Sequence, residues 1–466
     1  MNSLKVDVAI IGAGSAGMSA YKAARKHTDR VVVIEQGPYG TTCARVGCMP
    51  SKLLIAAADH ANAVATGEPF GVTVAGLKID GAAVMARVRR ERDRFVGFVL
   101  DTVDGWPDAH KLSGRARFEA PGRLRVADTC VEAARVIIAT GATPAVPAGW
   151  RERLGDRLVV NDDVFEWDAL PESVAVVGTG VVGLELAQAL HRLGVRVRLF
   201  GRSQRVGPLT DPALQAAVAA WINATLPYSG NVGEPEVDRD GDGVVVTWKD
   251  ERGHECRERF AFVLAAAGRR PALAGLDLDK AGIPLDARGR PVFDPATGQI
   301  GDTPVFIAGD ADDDRPVLHE AADEGRIAGD NAGRYPDVRP AERRTPLTIV
   351  FTDPQMAIAG ASHADLTRRS VAFAQGAASF ADQGRARTMG RNLGELRVYA
   401  GKADGRLLGA ELFGPDAEHL AHLLAWAIQR GDTVTDALAA PFYHPVVEEG
   451  LRTALQNLAR ALRDAT

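Results

Sequence analysis

Short runs of apolar residues alternate along the chain with glycine-rich turns and with stretches of helical periodicity. An apolar run at residues 8–11 precedes a glycine-rich turn at 12–17, an alanine-rich helical stretch and a second apolar run at 31–34. This order predicts a strand, a turn, a helix and a strand. The same order returns at residues 174–200, where a run of valines leads into a second glycine-rich turn. We therefore predict two βαβ units of the kind that binds dinucleotides.

The rest of the chain shows three further patterns. Residues 112–138 form short alternating segments separated by Gly and Pro, which predicts an antiparallel meander next to the first sheet. A third strand and turn at residues 305–310 lead into a helix, and a polar connector rich in Pro and Arg follows at 334–344. Beyond the connector, strands at 395–399 and 407–413 alternate with long helices, which predicts an α+β unit.

These patterns predict an α/β chain of several domains, because 466 residues are about three times the usual domain length of roughly 150. Two doubly wound, Rossmann-like domains precede the C-terminal α+β domain. We place the first domain at residues 1–150 and the second at 151–270. Residues 271–340 are predicted to complete the first domain, and residues 341–466 to form the last.

Composition and charge narrow the classes of function. The chain is 46% hydrophobic and 25% charged, has a net charge of −5 and lacks a long Lys/Arg block, so nucleic acid and anionic membranes are not expected partners. It lacks an apolar signal core and any apolar stretch of the roughly 18 residues that span a bilayer, so we expect a cytoplasmic protein. In that reducing compartment, a close pair among the four cysteines indicates catalysis, redox sensing or metal binding.

Both glycine-rich turns carry the spacing G-x-G-x-x-G between an apolar strand and a helix. Glycines there allow a tight turn and let a pyrophosphate approach the N–H groups of the helix N-terminus; a turn without a ligand is the alternative. In the first unit, Glu35 ends the second strand, where a carboxylate accepts the hydroxyls of an unphosphorylated ribose, and this favours FAD. The predicted cofactor-binding glycines are Gly12, Gly14 and Gly17 in the first turn and Gly178, Gly180 and Gly183 in the second.

The corresponding strand end of the second unit lacks an acid. Gly201 stands there, followed by Arg202 and Arg205. Two cations at this position favour a ribose 2′-phosphate and hence NADP(H). The alternative is that both arginines are solvated surface charges and that NAD(H) binds without an acidic partner.

Cys43 and Cys48 follow directly on the strand that ends at Glu35, and therefore lie close to the predicted flavin site. Five residues along a regular α-helix rise about 7.5 Å, which exceeds the roughly 7 Å limit between disulfide-bonded Cα atoms. A disulfide between the two thus needs a distorted turn, which Gly47 permits. The sequence predicts a redox-active pair at this position.

The surroundings of this pair suggest how its chemistry is tuned. A thiolate near a helix N-terminus and Lys52 is expected to have a lowered pKa, which suits thiol exchange or electronic contact with a flavin. Two buried free thiols and half of a metal site are the alternatives. Because no Cys/His cluster accompanies the pair, no metal is predicted. Cys130 and Cys256 are isolated in the sequence and are expected to be packing residues.

A possible general base stands near the C-terminus. His444 precedes a proline and lies five residues before Glu449. A histidine oriented by a carboxylate is typical of a general base, and a structural histidine with satisfied hydrogen bonds is the alternative.

Together these motifs resemble the pyridine nucleotide-disulfide oxidoreductases, and within them the dihydrolipoamide dehydrogenase type, across essentially the whole chain. The most specific motif is C-x-x-x-x-C-x-P-S-K, which begins at Cys43. The resemblance implies that Cys43 attacks the substrate and that Cys48 contacts the flavin. It also matches His444 and Glu449 to an H-P-x-x-x-E signature whose histidine serves the active site of the other subunit. A homodimer is therefore implied, with the C-terminal α+β domain as its dimerisation domain.

The resemblance also assigns roles in cofactor binding. Asp310 would bind the ribityl chain of FAD, Glu185 would lie near the nicotinamide, and residues 350–355 would open the dimerisation domain. The other cofactor-site residues that the matching motifs imply are Thr42, Lys52, Ala116, Thr140, Gly141 and Gly268.

The implied activity is exchange between a dithiol such as dihydrolipoamide and the disulfide of Cys43 and Cys48. His444 takes the proton, and electrons pass through Cys48 and FAD to NAD(P)⁺. An NADPH-dependent reductase of another disulfide is the alternative, and a flavin-bound redox sensor with vestigial turnover is a third hypothesis.

Several residues depart from the patterns of related enzymes. Phe442 stands where many relatives have a first histidine, and Val446 where they usually have threonine, so the substrate stays open. Mercuric reductases and the large thioredoxin reductases carry a C-terminal cysteine pair, whereas no cysteine follows Cys256 here. The presence of both Cys43 and Cys48 disfavours a soluble transhydrogenase.

Overall fold

The computed structural model describes residues 2–464. Its α-helices are α1 (Ser15–Ala24), α2 (Thr42–Val46), α3 (Cys48–Ala65), α4 (Gly81–Asp104), α5 (Trp150–Leu154), α6 (Asn161–Val164), α7 (Val181–Arg192), α8 (Pro212–Thr225), α9 (Leu318–Arg334), α10 (His363–Arg368), α11 (Gly384–Thr388), α12 (Ala417–Arg430), α13 (Val434–Ala439) and α14 (Glu448–Arg463). Single 3₁₀ turns cover Glu68–Phe70, Asp108–His110, Gly155–Arg157, Leu278–Lys280 and Gly309–Ala311.

The strands of the first half are short except for β1 and β6, which have ten residues each. They are β1 (Asn2–Ile11), β2 (Val31–Glu35), β3 (Lys111–Ser113), β4 (Ala116–Ala120), β5 (Arg123–Val126), β6 (Thr129–Ile138), β7 (Ala142–Pro144), β8 (Leu158–Val159), β9 (Ser173–Val177), β10 (Arg196–Phe200) and β11 (Tyr228–Ser229). Those of the second half are β12 (Glu236–Asp240), β13 (Gly243–Lys249), β14 (Glu255–Phe260), β15 (Phe262–Ala265), β16 (Arg269–Pro271), β17 (Val305–Ile307), β18 (Leu347–Val350), β19 (Gln355–Gly360), β20 (Phe373–Ser379), β21 (Glu395–Gly401) and β22 (Leu407–Gly414).

The described chain folds into two compact units, each assembled from three segments. The first unit contains residues 2–53, 87–145 and 268–343, and the second contains residues 54–86, 146–267 and 344–464.

A mixed sheet with the order β3-β2-β1-β6-β5-β4 forms the centre of the first unit, and β17 also pairs with β6. β2, β1, β6 and β17 run parallel, whereas β4, β5 and β6 form the antiparallel meander that the sequence predicts. β1 is longer than its apolar run predicts, because its polar first half pairs with the first half of β6. That half is partly exposed, so it lacks the apolar pattern of a buried strand.

Helices α1 and α9 pack against each other over one face of this sheet. Their axes approach closely because α9 has glycines at the crossing. A Cβ atom on Gly325 would lie 2.1 Å from the carbonyl oxygen of Ala16, and one on Gly329 would lie 2.3 Å from that of Ala20. The third predicted strand, turn and helix is thus confirmed as β17 and α9, which complete the first sheet rather than start a new one.

The second unit contains a parallel sheet and two antiparallel sheets. The parallel sheet has the order β11-β10-β9-β15-β8, and β9, α7 and β10 are the second predicted strand, helix and strand. An antiparallel sheet β12-β13-β14 accompanies it. The C-terminal sheet has the order β18-β19-β22-β21-β20, and the buried faces of α12 and α14 pack against it. The predicted α/β class with a C-terminal α+β region is confirmed.

Glu411 on β22 has a fully buried carboxylate that accepts four hydrogen bonds. It accepts hydrogen bonds from the N–H groups of Thr210 at 2.5 Å, Asp211 at 3.0 Å and His363 at 2.7 Å, and from the Thr210 hydroxyl at 2.5 Å. A buried charge is stable only when it is satisfied in this way. Glu411 therefore ties the start of α8 to the C-terminal sheet.

Across residues 2–464, no helix is both long and apolar enough to cross a membrane. The predicted limits of the four domain segments stay a prediction.

Candidate active site

Cys43 and Cys48 lie on either side of a break between two helices. Cys43 is in α2, which ends at Val46, and Cys48 is the first residue of α3. At the break, a Cβ atom on Gly47 would lie 3.1 Å from the carbonyl oxygen of Thr42 and 3.3 Å from the Cα of Cys43. These distances are tight for a side chain, so glycine lets the two turns approach. The predicted distortion at Gly47 is confirmed.

The Cys43 thiol does not have the lowered pKa that the sequence suggests. A hydrogen bond with the Cys48 side chain is the main reason why the pKa of Cys43 lies far above its usual range, and burial raises it further. The charge of Lys52 acts in the opposite direction but has a smaller effect. The expectation of a lowered pKa is wrong for Cys43 in the dithiol state, because the neighbouring thiol outweighs the cation.

The first glycine-rich turn has the free space and the acceptors that a dinucleotide requires. No described atom outside its chain neighbours lies within 4 Å of a Cβ built on Gly14. The carboxylate of Glu35 accepts hydrogen bonds from the N–H groups of Ala13 at 2.7 Å and Gly37 at 2.8 Å, which fixes it at the strand end. The Thr140 hydroxyl is buried without a hydrogen-bond partner among residues 2–464. These features fit an adenine dinucleotide such as FAD.

The antiparallel pair β7 and β16 brings two more predicted FAD-site glycines together. Gly141 precedes β7 and Gly268 precedes β16. The carbonyl of Gly141 accepts a hydrogen bond from the N–H of Ala272 at 2.8 Å, and the carbonyl of Gly268 accepts one from the N–H of Ala145 at 2.9 Å. Both glycines have positive φ angles and open space at the Cβ position. Of the remaining predicted FAD-site residues, Thr42 starts α2 and Ala116 starts β4.

Asp310 lies in the 3₁₀ turn after β17, where burial raises the pKa of its carboxyl. Next to it, burial and the neighbouring charge of Glu324 raise the pKa of Asp312 to about 8. Glu324 accepts the N–H of Gly309 at 2.8 Å and the guanidinium of Arg343 at 2.5 Å. The turn that carries Asp310 is therefore held by a buried carboxylate on α9.

The second glycine-rich turn repeats the geometry of the first. A Cβ atom on Gly183 would lie 1.9 Å from the carbonyl oxygen of Gly178, so the packing of the helix against the turn requires glycine at position 183. Gly178 has a φ of +125°, and a Cβ atom there would lie 2.2 Å from the carbonyl oxygen of Ala266. Gly180, by contrast, has open space at the Cβ position among the described residues. Its backbone conformation, φ −78° and ψ −176°, is close to that of Gly14, φ −74° and ψ −172°. This turn fits the pyrophosphate of a second dinucleotide.

Arg202 and Arg205 are both exposed after β10. The guanidinium of Arg205 donates to the carbonyl of Pro208 at 2.9 Å, and its own carbonyl accepts the hydroxyl of Thr179 at 2.9 Å. Within residues 2–464, Arg202 takes part in no side-chain hydrogen bond or ion pair. That Arg202 and Arg205 bind a ribose 2′-phosphate, rather than solvent alone, stays a prediction.

Glu185 is almost fully buried on α7, and its carboxylate accepts the N–H of Phe351 at 2.9 Å. Two residues that form no motif lie beside predicted site residues: Gln188 next to Glu185, and Glu324 next to Asp310. A polar side chain on the apolar face of a predicted helix is the one signal in the sequence that could have identified them.

His444 and Glu449 form the predicted pair. The Nδ1 atom of His444 lies 2.9 Å from Oε1 of Glu449, and the N–H of Val446 donates to the other carboxylate oxygen at 3.3 Å. The hydrogen bond from His444 holds the pKa of Glu449 below its usual range. The imidazole itself is 80% exposed, so its other nitrogen is free of packing and can face a reactant.

The predicted site residues thus fall into three local groups. Cys43, Cys48 and the FAD-site residues lie in the first unit. The coenzyme-site residues of the second glycine-rich turn and the pair His444 and Glu449 lie in the second.

Known proteins match this chain over nearly its whole length. The family model "Pyridine nucleotide-disulphide oxidoreductase" matches residues 6–325, and the dimerisation domain of the same family matches residues 347–455. Dihydrolipoyl dehydrogenase from Haloferax volcanii is 31% identical over 471 residues, which cover 97% of this chain and 96% of the relative. Mercuric reductase from Streptomyces lividans has the same identity and coverage. The crystal structure of LpdA from Mycobacterium tuberculosis is 26% identical, with a TM-score of 0.82 over 97% of this chain and 100% of that one.

Proposed function

This chain belongs to the pyridine nucleotide-disulphide oxidoreductase family, and we propose that it exchanges electrons between NAD(P)(H) and a small dithiol or disulfide of the lipoyl type. As a member it is a flavoprotein disulfide oxidoreductase related to the dihydrolipoyl dehydrogenases. The observation that carries the proposal is the hydrogen-bonded pair Cys43 and Cys48 across the break at Gly47. We propose that the enzyme acts in the cytoplasm, where thiols stay reduced and dithiol–disulfide exchange serves redox homeostasis.

We assign the exchange with substrate to Cys43. A substrate thiolate attacks Sγ of Cys43 in the Cys43–Cys48 disulfide, and Cys48 leaves as a thiolate. The second substrate thiolate then attacks the substrate sulfur of the mixed disulfide and releases Cys43. The substrate becomes a disulfide, and the enzyme holds two more electrons. When bound, FAD supplies the acceptor through which this pair reaches NAD(P)⁺.

His444 is proposed as the base that takes the proton from the substrate thiol, with Glu449 as the residue that orients it. The hydrogen bond of 2.9 Å between them leaves Nε2 as the reactive nitrogen. The raised pKa of Cys43 supports a need for such a base, because this thiol does not ionise readily while both cysteines are reduced. The chain carries the dimerisation domain of the family, and we propose a homodimer in which His444 serves the partner subunit's cysteine pair.

We propose that the first unit holds FAD and that the second unit holds the nicotinamide coenzyme. The proposed FAD-site residues are Gly12, Gly14, Gly17, Glu35, Thr42, Lys52, Ala116, Thr140, Gly141, Gly268 and Asp310. The proposed coenzyme-site residues are Gly178, Gly180, Gly183, Glu185, Arg202 and Arg205.

NADP(H) is proposed over NAD(H), although relatives named dihydrolipoyl dehydrogenase point towards NAD. Gly201 provides no carboxylate for the ribose hydroxyls, and Arg202 is exposed without a partner among residues 2–464. Such an arginine suits a phosphate. The same observation favours the second candidate, an NADPH-dependent reductase of another disulfide. The Arg202→Ala, Arg205→Ala double variant should raise KM for NADPH far more than for NADH, and an equal effect would refute the assignment.

The proposed substrate chemistry is tested with Cys43→Ser. We expect this variant to bind FAD and to lose turnover with dihydrolipoamide and with lipoamide, whereas Cys256→Ser, the matched control outside the pair, should keep it. Turnover of small disulfides but not of dihydrolipoamide in the wild type would favour the second candidate. Robust turnover by Cys43→Ser would refute the role of the pair.

A further inference from the structure

One face of α7 forms hydrogen bonds with residues 351–353, near the start of the dimerisation domain. Glu185, Gln188 and Arg192 are spaced three and four residues apart, so they lie on the same face of the helix. Each of them bonds to the segment 351–353. Glu185 and Gln188 are almost fully buried there. The contact is therefore a packed polar interface rather than a solvated salt bridge.

Gln188 makes the most specific of these contacts. Its side-chain Nε2 donates to the carbonyl of Asp353 at 2.8 Å, and its Oε1 accepts the N–H of the same residue at 2.8 Å. A backbone N–H only donates and a carbonyl only accepts, so this arrangement fixes the orientation of the amide. The guanidinium of Arg192 adds a bond of 2.8 Å to the Asp353 carboxylate. Asp353 is thus held at its backbone and its side chain by two residues of α7.

The position of Asp353 determines what reaches Glu185. Phe351 lies two residues earlier, and its N–H is 2.9 Å from Oε1 of Glu185. Because the peptide chain between the two residues is short, a shift of Asp353 carries the Phe351 N–H with it. The orientation of the Glu185 carboxylate then depends on Gln188, although Glu185 bonds to Phe351 and Gln188 bonds to Asp353.

We propose that Gln188 is a positioning residue for the coenzyme: by holding Asp353 it keeps the Phe351 N–H on Glu185 and so orients the carboxylate beside the nicotinamide. This inference rests on the proposed function, in which Glu185 belongs to the coenzyme site. It adds a residue that contacts neither reactant nor coenzyme. It also makes the first segment of the dimerisation domain a part of the coenzyme site.

The test replaces Gln188 by methionine, which has a similar shape but offers neither the donor nor the acceptor to Asp353. Gln215→Met is the matched control, because Gln215 on α8 is a partly buried glutamine of the same unit whose Nε2 donates to the carbonyl of Leu209 at 3.0 Å. The dissociation constants of NADP⁺ and NAD⁺, which do not reduce the oxidised flavin, are measured by calorimetry on the purified flavoprotein. Flavin reduction by NADPH and NADH is followed by stopped flow, and melting temperatures are measured for both variants.

Gln188→Met should weaken binding of the preferred nucleotide about tenfold, which corresponds to about 1.4 kcal/mol, and should slow flavin reduction at saturation. Gln215→Met should leave both nucleotide measurements within twofold of the wild type, whatever change in melting temperature it causes. In a double-mutant cycle, the effect of Gln188→Met should shrink in a Glu185→Gln background.

Equal nucleotide binding and flavin reduction in Gln188→Met and Gln215→Met would overturn the proposal, and so would strict additivity with Glu185→Gln. A wild type that binds neither nucleotide would instead overturn the proposed function, and with it this inference. Should Gln188→Met fail to fold, Gln188→Glu takes its place, because it keeps the acceptor for the Asp353 N–H and loses only the donor to the Asp353 carbonyl. Nucleotide binding and flavin reduction equal to those of the wild type would then overturn the proposal.

Discussion

The middle glycine of the second turn allows a sharp test of the coenzyme site. No described atom outside its chain neighbours lies within 4 Å of a Cβ on Gly180, and its φ of −78° and ψ of −176° are accessible to alanine. Gly180→Ala should therefore stabilise the nucleotide-free protein slightly, by about 0.4–1 kcal/mol, because it restricts the unfolded chain. In Gly183→Ala, the new methyl would meet the Gly178 carbonyl at 1.9 Å, and we expect a loss of about 3 kcal/mol.

The methyl group that Gly180→Ala introduces should weaken binding of the coenzyme. It occupies the space where a pyrophosphate approaches the helix N-terminus, so at least one charge-assisted hydrogen bond of about 1.5–3 kcal/mol should be lost. This corresponds to binding weaker by a factor of roughly 10 to 150. The assay pairs thermal melting with calorimetric titration of NADP⁺ and NAD⁺, which bind without reducing the flavin. Gly97→Ala is the control, because Gly97 on α4 also has open space at its Cβ position.

Two results would refute this reasoning. Unchanged nucleotide affinity in Gly180→Ala would mean that the open space is not the pyrophosphate site. A melting temperature as low as that of Gly183→Ala would mean that the space is not open in solution.

Three further predictions concern the carboxyl groups of Glu411, Asp312 and Glu449. Glu411→Gln places an NH₂ group against two buried donors and should lower the free energy of unfolding by about 2–6 kcal/mol, at roughly 1–3 kcal/mol for each donor that loses its acceptor, as urea titration would show; an unchanged midpoint contradicts it. The pKa of Asp312 is about 8 in the folded protein, above 3.8, so the folded state retains a proton that the unfolded chain releases. Stability should fall as pH rises through this window, and melting of Asp312→Asn should show a flatter dependence. Glu449→Gln should slow dihydrolipoamide oxidation at least about tenfold without slowing flavin reduction by NAD(P)H; equal slowing of both would point to general damage.

The sequence was informative wherever the structure depends on local pattern. Both βαβ units, the meander and the helix break at Gly47 follow from apolar periodicity and from the positions of glycines. His444 and Glu449 could be paired because they are five residues apart, and the structure places Glu449 in the first turn of α14.

Features that depend on distant contacts could not be predicted. Gln188 and Asp353 are separated by 165 residues, and nothing near either one indicates the other. The first half of β1 is polar, and only its pairing with β6 makes it a strand. The pKa of Cys43 differs from the prediction because the sequence shows its helix and Lys52, whereas its hydrogen bond with Cys48 depends on the geometry of the turn.

The most direct test of the central claim is an anaerobic titration of the purified yellow protein with NADH or NADPH while the flavin absorbance is recorded. If Cys43 and Cys48 are coupled to the flavin, one of the two nucleotides should produce a long-wavelength band from charge transfer between the Cys48 thiolate and FAD. Simple bleaching of the flavin without that band, with either nucleotide, would contradict the account.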